Sequence, residues 1–272
     1  MQDTSNRGEA NSQDASDASI GVSQGGNEAL REVYNEMHKQ GSSSWFGQGE
    51  EERELILKMG EPWDKVIVLE IGSGEGDLGI AILDKHGWYK GIDYSQVAVD
   101  KANSKWGLNA WFCEDYKNTI DKYERLVMQG VLEHLDDPFT ELKWMMDNLL
   151  TEKGDVITSS PAFFNPRGFI WMALHTAGAV MSKTDLHFID GNDVEDFCKK
   201  NGYGFGFRTC DFDWANGNRM MEDLRQRIPL ALKDGNLRMD RIEYLLNWLQ
   251  NARKTIRWEG DCGATAVYRI SK

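Results

Sequence analysis

The sequence is short of the features that mark several classes of protein. Its 272 residues include only four cysteines, and none are spaced as in a metal site or a CxxC motif. Lys and Arg total 31 against 44 Asp and Glu, a net charge of −13, and no basic run offers a surface for nucleic acid. No apolar stretch is long enough to span a membrane, and no signal peptide is recognisable. We therefore expect reduced thiols, a cytoplasmic location, no bound metal, and neither nucleic acid nor membrane as a partner.

What is present predicts one folded domain. Hydrophobic residues make up 40% of the chain and aromatic residues 11%, which is enough for a substantial core. Residues 1–26 are small and polar and predict a disordered leader, whereas residues 27–272 predict a single domain that begins with helices at 27–60. Two insertions, at about 161–190 and 215–260, predict helical lids.

Short apolar segments alternate with helical ones from residue 66 onward. The predicted strands are 66–71, 89–93, 110–113, 125–129, 155–159, 204–211 and 263–270. This alternation predicts an α/β fold with an open, doubly wound sheet. Ser95 is a predicted helix cap, and the helical segment from residue 218 to 255 is expected to break near Pro229 and again at Gly235.

The most specific segment is the loop that follows the first predicted strand. Residues 70–76 read Glu-Ile-Gly-Ser-Gly-Glu-Gly. Glycines at these positions let the backbone turn tightly and let a ligand approach without Cβ clashes. The spacing is G-x-G-x-G, and Asp77 stands where a dinucleotide fingerprint has its last glycine. Such a loop lies at the ligand-binding edge of an open α/β sheet.

Acidic residues around this loop favour a particular type of cofactor. Glu70, Glu75 and Asp77 would repel a pyrophosphate, so a cationic cofactor without phosphate fits better. Asp93 ends the second predicted strand roughly twenty residues further on, where a carboxylate can accept hydrogen bonds from both ribose hydroxyls. The alternative is that Asp93 only caps the helix that begins near Ser95.

Four motifs, taken in order, resemble the successive motifs of the class I S-adenosylmethionine-dependent methyltransferases. They are Glu70-x-Gly72-x-Gly74-x-Gly76, Gly91-Ile-Asp93-Tyr-Ser95, Glu114-Asp115-Tyr116 and Gln129-Gly-Val-Leu-Glu-His134. The match covers about residues 64–160 and is specific as a set. The resemblance implies a Rossmann-like sheet of seven strands with the last strand antiparallel, and S-adenosyl-L-methionine as the cofactor.

The resemblance also assigns cofactor contacts by position. They fall on Glu70, Gly72, Gly74, Gly76, Asp93, Tyr94, Asp115, Tyr116 and Gln129. Asp93 would hold the ribose, Tyr94 would pack on the adenine, and Asp115 would accept a hydrogen bond from the adenine amino group. Glu70 would lie beneath the loop and act through water or a backbone amide. Ordinary core packing remains an equal alternative for Tyr116.

Methyl transfer is an in-line displacement, and an alcohol or phenol acceptor must lose a proton to a nearby base. His187 is the first candidate for the base, with Asp185 orienting it, and the equal alternative is that His187 only anchors its loop. His134 is the second candidate, with a pocket-wall role favoured.

The acceptor itself is expected to be a small molecule held by the lids. Its candidate contacts are Trp45, Phe46, Phe164 and His175. Methylation of oxygen is slightly favoured over nitrogen. The alternatives are an N-methyltransferase of a small amine, a nicotinamide-dependent oxidoreductase and a non-catalytic cofactor-binding protein, and a homodimer is left open.

Overall fold

The computed structural model describes residues 26–39, 49–180, 185, 187–255 and 260–272. Residues 1–25 of the leader predicted at 1–26, and the predicted contacts Trp45 and Phe46, lie outside these ranges, whereas Gly26 is the first residue of a helix. Among the helices within them, none has both the length and the apolar character that crossing a membrane requires.

Strands and helices alternate along most of the described chain. The elements are α1 (Gly26–Lys39), α2 (Glu50–Met59), β1 (Ile67–Ile71), α3 (Asp77–Asp84), β2 (Trp88–Asp93), α4 (Gln96–Trp106), β3 (Trp111–Cys113), β4 (Tyr123–Gln129), α5 (Pro138–Leu149), β5 (Leu150–Pro161), α6 (Pro166–Thr176), α7 (Gly191–Asn201), β6 (Gly204–Cys210), α8 (Phe212–Asn216), α9 (Asn218–Asp234), α10 (Ile242–Thr255) and β7 (Thr265–Ser271). Two short 3₁₀ turns, Tyr116–Asn118 and Leu132–His134, follow β3 and β4.

The strands form one seven-stranded sheet in the order β3-β2-β1-β4-β5-β7-β6. The neighbouring strands from β3 to β5 are parallel, and β7 is antiparallel to both β5 and β6. The predicted doubly wound α/β sheet with an antiparallel last strand is therefore confirmed. The direction of strand order reverses between β1 and β4, which is where ligands bind in folds of this kind.

The central strands are buried on both faces, as their continuous apolar sequences predict. Leu126 and Met128 of β4 project into the core beneath α5 and α7, and Val127 between them projects to the opposite face, towards Ile56 of α2 and Leu78 of α3. A separate apolar cluster joins α6, α9 and α10 beside the sheet. Layers on both faces hold the strand ends in fixed positions.

A buried ion pair joins the middle of the sheet to its antiparallel edge. Arg125 of β4 donates to Asp155 of β5 through Nε (2.6 Å) and Nη2 (3.0 Å), and Arg269 of β7 donates to the same carboxylate through Nε at 2.9 Å. Both Arg125 and Asp155 are 5% exposed. Because the charges are paired in good geometry, the desolvation of each is offset.

The predicted break near Pro229 is wrong, because α9 runs through this residue and ends at Asp234, before Gly235. A proline inside a helix costs about 3 kcal/mol through the lost hydrogen bond and its ring clash. Leu224, Ile228 and Leu232 lie on the buried face of the same helix. Burying each such side chain contributes about 1.5–3 kcal/mol, which offsets the cost of the proline.

Candidate functional site

A cavity of about 980 Å³ opens at the carboxyl ends of the parallel strands. Ile71, Asp93, Cys113 and Gln129, which lie at or next to the ends of β1, β2, β3 and β4, contribute to its lining. The cavity therefore occupies the expected position in an open α/β fold, beside the reversal of strand order.

The glycine loop forms part of the cavity wall, and its three glycines have different reasons to be glycine. Gly72, Gly74 and Gly76 all have positive φ angles, of +71°, +51° and +83°. A Cβ atom on Gly72 would lie 2.5 Å from Val131 Cγ2, and one on Gly76 would lie 2.7 Å from the Trp111 ring. A Cβ on Gly74 would meet no atom of the described residues within 4 Å. Gly74 therefore leaves open space in which a ligand can approach the backbone.

Asp93 connects this loop to the end of β2. Its Oδ2 accepts a hydrogen bond from Gly74 N–H at 2.9 Å, and its Oδ1 accepts one from Ser95 N–H at 2.8 Å. The side chain is 8% exposed, and burial raises the pKa of the carboxyl. Each carboxylate oxygen can accept a further bond, so the contacts leave room for the predicted ribose hydroxyls. The helix cap is Ser95, whose Oγ accepts from Ala98 N–H at 3.3 Å.

Glu70 is buried in β1, next to the loop, and its hydrogen-bond partner is the Tyr89 hydroxyl, which donates to Oε2. Burial raises the pKa of Glu70 to about 8, so the carboxyl is largely protonated at neutral pH. Glu70 also lines the cavity.

The other two acids of the loop are neutralised by lysines. Glu75 Oε1 lies 3.1 Å from Lys101 Nζ, and Asp77 Oδ1 lies 2.9 Å from Lys105 Nζ. The predicted repulsion of a pyrophosphate by these acids is therefore weakened. The sheet itself still differs from dinucleotide-binding sheets, because their parallel strand order lacks an antiparallel strand such as β7 inserted beside β5.

The residues predicted to hold the adenine all line the cavity. Tyr94 is 37% exposed and meets the Tyr34 ring edge to face at 6.1 Å between centroids. Asp115 accepts from Lys117 N–H at 2.9 Å through Oδ1 and so caps the first 3₁₀ turn. The Tyr116 hydroxyl is buried and has no hydrogen-bond partner among the described residues, so it can still bond a ligand.

Helix α1 covers this region, which the sequence did not predict. Leu30, Tyr34 and His38 line the cavity, and His38 Nδ1 lies 3.3 Å from Glu75 Oε1. The Ser95 hydroxyl donates to Asn35 Oδ1. The only signal in the sequence was an amphipathic helix ahead of the first strand, and its partners could not be read from that pattern.

The structure separates the two candidate histidines. His134 lines the cavity, its Nε2 lies 2.9 Å from the Tyr34 hydroxyl, and its Nδ1 lies 3.7 Å from Asp185 Oδ1. His187 lines neither this cavity nor a second, smaller space that adjoins it. Its Nε2 lies 3.1 Å from the Asp136 carbonyl. Asp185 thus pairs with His134 and not with His187, whose contacts match the loop-anchoring alternative.

The remaining predicted contacts fall in different places. Gln129 lines the cavity, and its Nε2 donates to Glu52 Oε2 at 2.6 Å. Phe164 is 53% exposed and His175 meets the Phe188 ring edge to face at 4.9 Å, and neither lines the cavity or the chamber. The structure therefore gives no support to substrate contacts by Phe164 and His175.

A smaller side chamber of about 290 Å³ adjoins the cavity. It is lined by Glu52, Gly130, Glu133, Ser160, Pro161, Phe163, Arg167, Trp171, Asp185, Trp214, Arg227, Ala264 and Thr265. Glu52, Gly130, Trp214 and Thr265 line both spaces. The sequence did not single out Glu52 or Trp214 as site residues, because their partners are distant along the chain.

No protein-family model matches the sequence, and no match is found among curated proteins. Solved structures are similar in fold. The magnesium protoporphyrin IX methyltransferase of Synechocystis with bound SAH has a TM-score of 0.55 and 12% identity, covering 91% of this chain and 99% of the other. The DhpI-SAM-HEP complex has a TM-score of 0.58 and 12% identity, with coverage of 93% and 100%. The [4+2]-cyclase SpnF has a TM-score of 0.51 and 12% identity, with coverage of 81% and 79%.

These similarities show the fold. The chain has the fold of the class I S-adenosylmethionine-dependent methyltransferases, as the sequence motifs implied. Because a protein described as a cyclase shares it, the fold does not decide the chemistry, which has to be argued from the site.

Proposed function

We propose that this protein is an S-adenosyl-L-methionine-dependent methyltransferase that acts on a small molecule. The observation that carries the proposal is the pairing of Gly74 with Asp93 at the edge of the cavity. An open backbone position with positive φ is tied to a carboxylate at the next strand end, as a nucleoside-containing cofactor requires. Two proteins of the same fold are described with SAM or SAH bound, which supports this choice of cofactor.

The residues that line the cavity fit the parts of this cofactor. Asp93 would accept from the ribose hydroxyls, Tyr94 would cover one face of the adenine, and Asp115 would accept from its amino group. When bound, the cofactor supplies a methyl group on a positively charged sulfur. The task of the protein is then to orient the acceptor and exclude water, and α1 covers the cavity in a position suited to that role.

His134 replaces His187 as the proposed proton acceptor. It lines the cavity between the Tyr34 hydroxyl and the Asp185 carboxylate, so a ring nitrogen can take a proton while the carboxylate stabilises the charge that forms. The sequence slightly favours an oxygen acceptor, but a histidine can take a proton from oxygen or nitrogen alike.

Titration of the full chain with S-adenosylhomocysteine and, separately, with NAD tests the proposal. We expect S-adenosylhomocysteine to bind and NAD to bind far more weakly. Asp93→Asn should weaken binding about 10- to 100-fold, because a hydrogen bond to a charged group contributes about 1.5–3 kcal/mol. Asp84→Asn is the matched control, because Asp84 is exposed on α3 and lines neither cavity.

Asp93→Asn also removes one acceptor from the loop, so a second variant is needed. Tyr94→Leu leaves the contacts of Asp93 intact and should reduce binding several-fold through the lost adenine stacking. No binding of S-adenosylhomocysteine would overturn the proposal, and tight binding of NAD in its place would favour a nicotinamide-dependent enzyme.

A further inference from the structure

The side chamber next to the main cavity carries an excess of carboxylates. Glu52, Glu133 and Asp185 line it. The two guanidinium groups in its wall, Arg167 and Arg227, both bind Asp223, through contacts of 2.9 and 3.4 Å. Asp223 thus offsets part of their charge, and the side of the chamber formed by the three carboxylates is acidic.

Glu133 is the most deeply buried of these carboxylates. Its side chain is 3% exposed, and Oε2 has no hydrogen-bond partner among the described residues. Burial raises the pKa of Glu133 well above its ordinary value, and Asp185 and Glu52 raise it further. A buried carboxylate oxygen without a partner costs free energy, and a bound water, an ion or a donor group of a ligand can complete its bonding.

A second carboxylate with an unpartnered oxygen lies at the rim of the main cavity. Asp211 is 2% exposed; its Oδ2 accepts from the Thr265 hydroxyl at 2.6 Å, and its Oδ1 has no partner within the described part of the chain. Glu52 lines both spaces, whereas Asp211 lines the main cavity and Glu133 lines the chamber. These carboxylates, Glu133, Asp185, Glu52 and Asp211, form an acidic wall that extends from the chamber into the main cavity.

This wall defines the chemistry of its ligand. It offers several hydrogen-bond acceptors and negative potential, and it is flanked by the rings of Trp171 and Trp214. No three His, Cys, Asp or Glu side chains are grouped as a metal site in the ranges that the structure describes. An ammonium group brings two or three N–H donors and a positive charge, which match the wall, whereas an alcohol brings one donor and no charge.

We propose that the acceptor is a small amine, bound as its ammonium ion against Glu133 and Glu52 and methylated on nitrogen. This inference rests on the proposed function and names the substrate class of that site. Glu133 and His134 are consecutive in one 3₁₀ turn, and they line the chamber and the main cavity respectively. The turn therefore places the ion-pairing group and the proton acceptor at the junction of the two spaces.

The proton and electron pairs balance in this scheme. The bound ammonium gives one N–H proton to His134 and becomes a neutral amine with a free lone pair. That lone pair forms the new N–C bond while the S–C bond breaks and its electron pair stays on sulfur. The product leaves as an N-methylammonium ion, and His134 then loses its proton to solvent.

Binding to the protein saturated with S-adenosylhomocysteine tests the inference independently of turnover. The probes are phenethylamine, tryptamine and putrescine, each paired with the alcohol of the same skeleton (phenethyl alcohol, tryptophol and butanediol). Calorimetry at pH 7 in phosphate and in Tris measures the protons released. At least one amine should bind at least tenfold more tightly than its alcohol.

Proton release follows from the state of Glu133 before binding. Burial raises the pKa of this carboxyl in the free site, whereas an ammonium partner favours its ionised form, so amine binding should release more protons than binding of the matched alcohol. The other charged groups of the chamber are Glu52, Asp185, Arg167 and Arg227.

Glu133→Gln should lower amine affinity at least tenfold and abolish this difference in proton release. Glu152→Gln, an exposed position outside both cavities, is the matched control and should change neither. If Glu133→Gln does not fold, Glu52→Gln should still weaken amine binding, because its amide keeps the volume and removes the charge.

The outcomes separate the two proposals. No binding of S-adenosylhomocysteine would overturn the proposed function and this inference with it. If S-adenosylhomocysteine binds but the amines bind no better than the alcohols, or release no more protons, only the amine inference fails. Formation of S-adenosylhomocysteine from S-adenosylmethionine with the alcohols and not with the amines would likewise contradict only the amine inference.

Discussion

Replacing Gly74 and Gly76 separately by alanine would distinguish a glycine kept for ligand binding from one kept for folding. Both residues have positive φ angles, but their surroundings differ. A Cβ on Gly76 would lie 2.7 Å from the ring of Trp111, which is 1% exposed, whereas a Cβ on Gly74 would meet nothing within 4 Å in the part of the chain that the structure describes. Gly202, at the end of α7, has a φ of +73°, lies outside both cavities, and is likewise free of described neighbours at its Cβ position.

The structure gives the expected magnitudes. Alanine in the left-handed region costs about 1–2 kcal/mol at each of the three positions. At Gly76 the methyl group must also displace a rigid buried ring, which costs about 1–3 kcal/mol more. At about 2–4 °C per kcal/mol, Gly76→Ala should lower Tm by about 4–20 °C, and Gly74→Ala and Gly202→Ala by about 2–8 °C.

The loss of S-adenosylhomocysteine affinity should be greatest for Gly74→Ala, whose loss of Tm is small. The methyl group of Gly74→Ala enters the space assigned to the cofactor, and overpacking of about 1–3 kcal/mol weakens S-adenosylhomocysteine binding by about 5- to 100-fold. Gly202→Ala should bind as the unmodified chain does. Thermal unfolding and calorimetric titration of the three variants measure both effects. Equal Tm losses for all three, or unchanged binding by Gly74→Ala, would refute the reasoning.

Three further predictions follow from other parts of the structure. His134→Ala should reduce turnover about 100-fold or more while His187→Ala retains it, measured as formation of S-adenosylhomocysteine with a methylated acceptor. Asp155→Asn should destabilise the fold by about 3–5 kcal/mol in urea titrations, because it leaves Arg125 buried with a weakened partner. The stability conferred by Glu70 is present below pH 4.5 and declines as pH rises towards 8, because burial raises its folded pKa to about 8. Glu70→Gln should therefore gain stability relative to the unmodified chain over that pH range, and a constant difference would contradict this.

The ends of most elements could be predicted from local sequence. The helices predicted at 27–60 correspond to α1 and α2, and the short apolar segments match β1, β2, β3 and β4 to within two residues. These elements follow local rules: continuous apolar residues for buried parallel strands, and Ser95 as a helix cap. Pro229 was misread because its local cost is offset by packing against residues that the local pattern does not contain.

The features of the site likewise divide into those that local sequence indicates and those that only the tertiary structure brings together. The glycine loop and Asp93 could be predicted because a turn and the next strand end are fixed by short-range spacing. The order of the four motifs along the chain predicted the fold. The positions of His134 and His187 relative to the cavity, the cover formed by α1, and the carboxylates of the side chamber became visible only in the tertiary structure. Tyr34, His134 and Asp185 become neighbours because the sheet and its connections bring distant segments to one edge, and no spacing along the chain encodes that distance.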